Sequence, residues 1–244
     1  MCEMCRQHSI QKFGPSRRSL LFGAASTMGL LLATAGRAKE MKAPPKPQNV
    51  LSPDVSLERL LKGNTRYVEG VSLRHDFKHE REALAGGQNP YAAILSCADS
   101  RIAPEYAFDS GRGDLFVCRV AGNFANTETI ASLEYAVAVL NAPLILVLGH
   151  DSCGAVDAAI KSLADNTTLP GHMPSLVTGI APAVKAVSQQ GGDTLSKAIR
   201  QNVIDTVANL TSATPILSAA VEQRKIRVVG GVYRLGDGRV DMVA

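Results

Sequence analysis

The chain has 244 residues, and 45% of them are hydrophobic, which is enough to bury a sizeable core in a single domain. Its formal net charge is +4, but residues 1–35 contribute +3 of this charge, from four basic side chains against one acidic side chain. The remaining +1 gives little electrostatic support for nucleic-acid binding, so we expect no nucleic-acid partner.

The N-terminal segment "SRRSLLFGAASTMGLLLATAG" has the layout of an export signal. Arg17 and Arg18 precede an apolar run from Leu20 to Leu32, and the small residues 33–35 follow this run. The pattern predicts a twin-arginine signal peptide over residues 1–35, and hence a periplasmic or otherwise exported protein. The alternative is an N-terminal membrane anchor, although the apolar run is short for a membrane span. We expect no stable membrane anchoring once the signal is removed.

Residues 36–53 are rich in Pro and Lys and predict a flexible tether, which leaves residues 54–244 as one domain. Helical and strand patterns alternate along this domain, which favours a three-layer α/β/α fold around a central parallel sheet of about four strands. The predicted helices lie within residues 56–70, 127–141 and 193–210, and the predicted strands are Tyr91–Cys97, Asp114–Gly122 and Ala142–His150. A final hairpin is predicted to turn at residues 236–238.

Reactive side chains follow two of the predicted buried strands. "AILSCADSRIAPE" carries Cys97, Asp99 and Arg101 at alternate positions, and "LVLGHDSCGAV" carries His150 and Cys153. In an open α/β sheet, ligands bind beyond the carboxyl ends of the strands, so we expect the two sets to converge.

Two thiolates, an imidazole and a carboxylate are the ligand types that bind zinc. A competing interpretation is that Cys97 and Cys153 form a disulfide, with His150 as a polar core residue. That interpretation leaves the charges of Asp99 and Arg101 unexplained at a strand end, where a buried charge is costly unless it is paired or coordinated.

"SCADSRIAPE" followed by "GHDSCGAV" resembles the β-class carbonic anhydrases, zinc enzymes that interconvert carbon dioxide and bicarbonate. The resemblance covers the chain from about Leu57 to Val240 and implies that residues 54–244 form one catalytic domain. It further implies an N-terminal helical arm that packs on a partner subunit, in a homodimer or homotetramer, with one zinc ion in each chain.

Residue by residue, the resemblance places zinc on Cys97, His150 and Cys153. Asp99 and Arg101 match the family's carboxylate–guanidinium pair. In the open form Asp99 accepts from Arg101 and orients a zinc-bound water, whereas in the closed form Asp99 is the fourth zinc ligand.

The resemblance also implies a substrate pocket. Gln88 matches an amide that binds substrate oxygen, and Phe116, Ala121 and Tyr135 match positions that line a small apolar pocket. Gly154 follows the last zinc ligand and allows close approach to the backbone.

A second, bicarbonate-binding pocket of some family members uses a Trp, an Arg and a Tyr. Arg119 and Tyr233 match the last two, but Ile94 occupies the Trp position, so we do not expect bicarbonate inhibition through this pocket. Two other functions stay open from the sequence: hydrolysis of carbonyl sulfide or carbon disulfide on the same fold, and non-catalytic binding of zinc or bicarbonate.

Overall fold

The apolar runs of the sequence form the strands of one five-stranded sheet in the computed structural model, which describes residues 50–244. The strands are β1 (Ala92–Ser96), β2 (Leu115–Arg119), β3 (Leu144–His150), β4 (Arg227–Tyr233) and β5 (Val240–Met242). Their order is β2-β1-β3-β4-β5, with β1 to β4 parallel and β5 antiparallel to β4. Strands β1 and β3 are buried along their whole length, because helices cover both faces of this part of the sheet.

Eight helices occur in this described part of the chain. They are α1 (Pro53–Val68), α2 (Phe77–Leu84), α3 (Pro104–Ala107), α4 (Thr127–Ala138), α5 (Gly154–Ala164), α6 (Pro174–Val187), α7 (Thr194–Ser212) and α8 (Ile216–Glu222). Apolar residues of α4 to α8 pack with Leu95 and Val147 on one face of the sheet. Leu60 of α1 and Phe108, directly after α3, pack with Ile94 on the other face.

Helix α1 approaches the sheet closely because it carries two small or polar residues at its contact face. Gly63 lies against the backbone of Phe108, where a Cβ atom would come within 1.9 Å of the carbonyl oxygen. The buried side chain of Asn64 donates to the carbonyls of Ala107 and Gly238 and accepts from the Val240 amide. Asn64 therefore joins α1, α3 and the β4–β5 hairpin. Both its amide nitrogen and its amide oxygen have hydrogen-bond partners inside the protein, as a buried polar side chain requires.

The expected α/β fold is confirmed, and its four parallel strands are extended by the short antiparallel strand β5. Helix α4 begins with a capping box, in which Asn126 and Thr129 exchange reciprocal side-chain to backbone hydrogen bonds. The signal peptide over residues 1–35, the N-terminal anchor and most of the tether lie outside the described residues. Between residues 50 and 244, no helix is both long enough and apolar enough to span a bilayer.

Candidate metal centre and active site

The carboxyl ends of β1 and β3 bring the predicted ligands together. His150 is the last residue of β3, Cys97 follows β1 directly, and Cys153 is the N-cap residue of α5. The two strands are adjacent and parallel, with Ser96 paired to Leu148, so both polar sets emerge at one edge of the sheet. All three ligand side chains are buried.

The two sulfurs are free and 4.0 Å apart. A disulfide requires an S–S distance of about 2.05 Å, so the disulfide interpretation of Cys97 and Cys153 is wrong. The sulfurs and a ring nitrogen of His150 all lie within 4.8 Å of one another, and this is the one such group among the residues that the structure describes. Two sulfurs and one imidazole nitrogen are a typical zinc donor set, which leaves a fourth position for another ligand.

The imidazole of His150 is held in the tautomer that a metal ligand requires. Its Nδ1 lies 2.8 Å from the carbonyl oxygen of Asp151, which can only accept, so Nδ1 carries the proton. The Nε2 atom is buried and has no hydrogen-bond partner in the structure. A buried acceptor without a partner is costly, and a metal ion bound to Nε2 would remove this cost.

The electrostatics of the thiol pair also favour a cation. The hydrogen bond between the two thiols lowers the pKa of Cys97 below its usual range, and the Gly122 amide, which donates to the Cys97 sulfur at 3.3 Å, acts in the same direction. The same bond raises the pKa of Cys153 far above its usual range. Two thiolates at this separation repel each other, so both ionise together only when a cation lies beside them.

Asp99 and Arg101 form a complete ion pair next to the thiols. The guanidinium donates to both carboxylate oxygens, at 2.9 Å from Nε and 2.8 Å from Nη2, and the Arg101 amide donates to one of them at 2.9 Å. These bonds from Arg101 lower the pKa of Asp99 well below its usual range. One Asp99 oxygen lies 3.8 Å from His150 Nε2, yet Asp99 is not a member of the ligand group.

Two of the predicted pocket residues lie beside this group. Ala121 precedes Gly122, whose amide contacts the Cys97 sulfur, and Gly154 directly follows Cys153. Gly154 is exposed, and a Cβ atom at this position would have no neighbour within 4 Å. Open space therefore lies beside Gly154, the residue that follows Cys153.

Three other predicted pocket residues do not lie near the thiols of their own chain. Gln88 is exposed and precedes the amino end of β1, whereas Cys97 follows its carboxyl end. The distance from Ala92 to Cys97 along the strand is about 16 Å at 3.3 Å per residue. Phe116 pairs with Ala93, at the same far end, and its ring lies 6.2 Å from that of Tyr135. The spacing of these residues from the ligands along the sequence does not reveal this separation. Because β1 and β2 are parallel, the start of β2 lies level with the start of β1, and Cys97 follows the other end of β1.

The residues that match the second bicarbonate pocket are engaged in internal contacts. Ile94 is fully buried in the core, and the hydroxyl of Tyr233 lies 3.0 Å from the hydroxyl of Tyr67. The Arg119 guanidinium donates to three main-chain carbonyls. These contacts agree with the expectation, drawn from Ile94, that the pocket is not formed.

The sequence did not reveal the backbone groups that support the ligands. The Gly122 amide and the Asp151 carbonyl contact Cys97 and His150, but every residue carries such groups, so residue identity gives no signal for them. Of these two supporting residues, Gly122 is the one whose residue type gives a signal in the sequence. Its φ of +84° is a conformation that glycine adopts without strain, and it directs the amide to the sulfur.

Comparison with known proteins gives a consistent result. The family model described as "Carbonic anhydrase" matches residues 92–240. Carbonic anhydrase 2 of Mycobacterium tuberculosis is 40% identical over 189 residues, covering 77% of this chain and 91% of the relative. The carbonic anhydrase of Mycolicibacterium smegmatis is 37% identical over 192 residues, covering 78% and 93%. The solved structure of the β-carbonic anhydrase CcaA superposes with a TM-score of 0.59 at 28% identity, covering 77% of this chain and 98% of that chain.

Proposed function

The chain belongs to the β-class carbonic anhydrase family, and from this premise we propose that it interconverts carbon dioxide and bicarbonate at a zinc ion held by Cys97, His150 and Cys153. One observation carries the proposal: two free sulfurs and an unpartnered, buried imidazole nitrogen converge next to a carboxylate that is already paired with a guanidinium. A purely structural zinc site needs four protein ligands and no such pair beside it.

The bound zinc would supply Lewis acidity, which lowers the pKa of a coordinated water towards neutrality. The protein's own residues then orient the reactants. Asp99 has an ionised carboxylate, 18% exposed, that can accept a hydrogen bond from the attacking water and direct its lone pair to the substrate carbon. Arg101 uses its two donors to keep this carboxylate ionised and turned away from the ligand group.

A second copy of the chain would complete the substrate pocket. Ala121 and Gly154 lie beside the thiols of their own chain. Gln88 and Phe116 lie instead at the amino ends of β1 and β2, and the Tyr135 ring lies next to that of Phe116. We therefore assign these three to the site of a partner copy, where Gln88 would bind a substrate oxygen and the two rings would exclude water. This requires at least a homodimer, and a homotetramer would be a pair of such dimers.

Several surface features support the homodimer. Among the strands of residues 50–244, β2 is the edge of the sheet, and one side of it carries backbone donors and acceptors without a strand partner from these residues. Phe77 is 58% exposed and Tyr106 is 75% exposed. Both line a cavity of about 820 Å³ that also contacts Leu115, at the amino end of β2. On the β2 side, Tyr135 is 47% exposed. Exposed apolar side chains in such numbers are typical of a protein interface.

Co-expression of two inactive variants tests this arrangement. Gln88→Ala and Cys153→Ser are each expected to have little activity, but a heterodimer would contain one site in which both residues are intact. Activity that reappears in the isolated heterodimer supports the shared site. A heterodimer as inactive as its parents contradicts it.

Stopped-flow hydration of carbon dioxide by the purified, zinc-analysed protein tests the activity itself. About one zinc per chain together with catalysed hydration is the expected result. Carbonyl sulfide and carbon disulfide should be measured alongside, since the same donor set serves hydrolases of these compounds. Zinc binding without turnover of any of the three substrates would favour a non-catalytic binding protein.

We also propose that the mature chain functions in the periplasm or elsewhere outside the cytoplasm, as a single catalytic domain over residues 54–244. The support is the sequence order of twin arginine, apolar run and small residues in positions 17–35. Cell fractionation with N-terminal sequencing of the recovered protein tests this. A full-length N-terminus on a cytoplasmic protein would contradict it.

A further inference from the structure

Arg119, the last residue of β2, joins the edge strand to the loop that carries Asp99. Its Nε donates to the carbonyl of Cys97 at 3.0 Å, and its Nη2 donates to the carbonyls of Asp99 at 2.6 Å and Ile102 at 2.9 Å. One guanidinium thus contacts the beginning, the middle and the end of the segment from Cys97 to Ile102. We call this segment the Asp99 loop.

The two arginines at this edge have separate tasks. Arg101 lies within the Asp99 loop and binds the carboxylate of Asp99, and its Nη2 also donates to the Ser152 carbonyl at 3.4 Å. Arg119 lies outside the loop, on a strand whose Cα register with β1 is fixed by the pairing of Ser96 with Arg119. Arg119 therefore ties the main chain of Asp99 to strand β2, and the direction of the Asp99 side chain follows from the position of its main chain.

A guanidinium suits this task because its donors form a planar fork on separate nitrogen atoms. The Nε atom reaches one carbonyl while Nη2 reaches two others, all with charge-assisted bonds that are stronger than neutral ones. The single nitrogen of a lysine would lie at one point and could not serve all three carbonyls with good geometry. An uncharged glutamine is shorter and has one amide nitrogen.

We propose that Arg119 is a positioning residue that anchors the Asp99 loop, so that the Asp99 carboxylate stays on Arg101 and leaves the fourth position at the metal group open. The inference rests on the proposed function, because an open fourth position matters only at a working metal site. One Asp99 oxygen is already within 3.8 Å of His150 Nε2, so a small movement of the loop would bring the carboxylate to the metal group. The anchor opposes that movement.

The first measurement is hydrogen exchange, read by mass spectrometry, on the full chain. In Arg119→Gln, peptides that contain the Asp99 loop are expected to exchange at least about tenfold faster than in the wild type. The loss of roughly one charge-assisted hydrogen bond raises the population of the open, exchanging form of the loop about tenfold. Arg119→Lys should give an intermediate rate, and it replaces Arg119→Gln if that variant does not fold. Arg239→Gln is the matched control, since this exposed arginine pairs with Asp237 in the hairpin, away from the Asp99 loop.

The second measurement is azide binding to the cobalt-substituted protein, followed by the visible spectrum of cobalt. Azide needs the open fourth position, so Arg119→Gln should weaken its binding by about tenfold if the released Asp99 competes for that position. The same change made in an Asp99→Asn background should leave azide affinity within about twofold. The comparison of these four proteins separates competition by Asp99 from general damage to the site.

Unchanged exchange of the Asp99 loop in both Arg119 variants would overturn the proposal. Equal loss of azide affinity with and without the Asp99 carboxylate would also overturn it, because the arginine would then act on the site as a whole. Failure of the proposed function gives a different result: the wild-type protein would not hydrate carbon dioxide, whatever the exchange and azide data show.

Discussion

Replacement of Gly63 by alanine sets helix propensity against packing, and the structure decides which effect is larger. Gly63 lies inside α1, where an alanine would by itself favour the helix by about 1 kcal/mol. The added Cβ would, however, lie 1.9 Å from the carbonyl oxygen of Phe108 and 2.7 Å from its carbonyl carbon. Both neighbours are backbone atoms, so α1 must move away by more than about 1 Å to reach an ordinary contact distance.

That movement has a cost that can be summed from the contacts. Overpacking costs about 1–3 kcal/mol. Withdrawal of α1 lengthens the three hydrogen bonds of Asn64, each with a net value of about 1 kcal/mol, and weakening them without breaking all three costs about 2 kcal/mol in total. After subtraction of the gain in helix propensity, we expect Gly63→Ala to lower the free energy of unfolding by about 2–4 kcal/mol. For a domain of this size the midpoint of thermal unfolding should fall by roughly 5–15 °C.

Urea and thermal unfolding of the zinc-loaded protein, followed by circular dichroism, measure this change. Gly86→Ala is the matched control, because no atom lies within 4 Å of the Cβ position there, and its effect should stay within about 0.5 kcal/mol. If Gly63→Ala proves as stable as the wild type, or more stable, the close approach of α1 to Phe108 is wrong and propensity alone governs the site.

Three further predictions concern the metal centre. In a chelator competition, Cys153→Ser should lower zinc affinity by at least about 100-fold, because about 10–16 kcal/mol of binding free energy is shared among about four ligands. Cys118 is the remaining free cysteine of the described residues, and Cys118→Ser should keep full zinc in the same assay. Asp99→Ala should retain about one zinc per chain but lower kcat by about 100-fold, since it removes the acceptor that orients the attacking water; an unchanged kcat in stopped flow would exclude that role. Two thiolates cancel the formal charge of the zinc ion, so a coordinated water should be less acidic than at a site with three histidines, and activity should rise through mildly alkaline pH. A flat profile between about pH 6 and 9, with zinc retained, would contradict this reasoning.

The substrate pocket illustrates the limit of spacing along a sequence. Gln88 is nine residues before Cys97, which suggests proximity, but the extended stretch from Ala92 to Cys97, about 16 Å long, lies between them. The sequence identifies the residue types for such a pocket, whereas their positions relative to the thiols of the same chain depend on strand direction. The same holds for Arg119, whose role at the Asp99 loop depends on the pairing of β2 with β1.

The sequence by itself determined the elements and the reactive groups of this protein. Continuous apolar runs specify buried parallel strands, and the thiols, imidazole and carboxylate that follow them specify the donor chemistry, because both properties are local to a few residues. Only the tertiary structure decided that the two sulfurs stay unbonded at 4.0 Å, that His150 Nε2 is left without a partner, and that Arg119 reaches three carbonyls of a neighbouring loop. Each of these depends on which strands lie side by side and in what register, and that arrangement results from packing between segments distant in the chain.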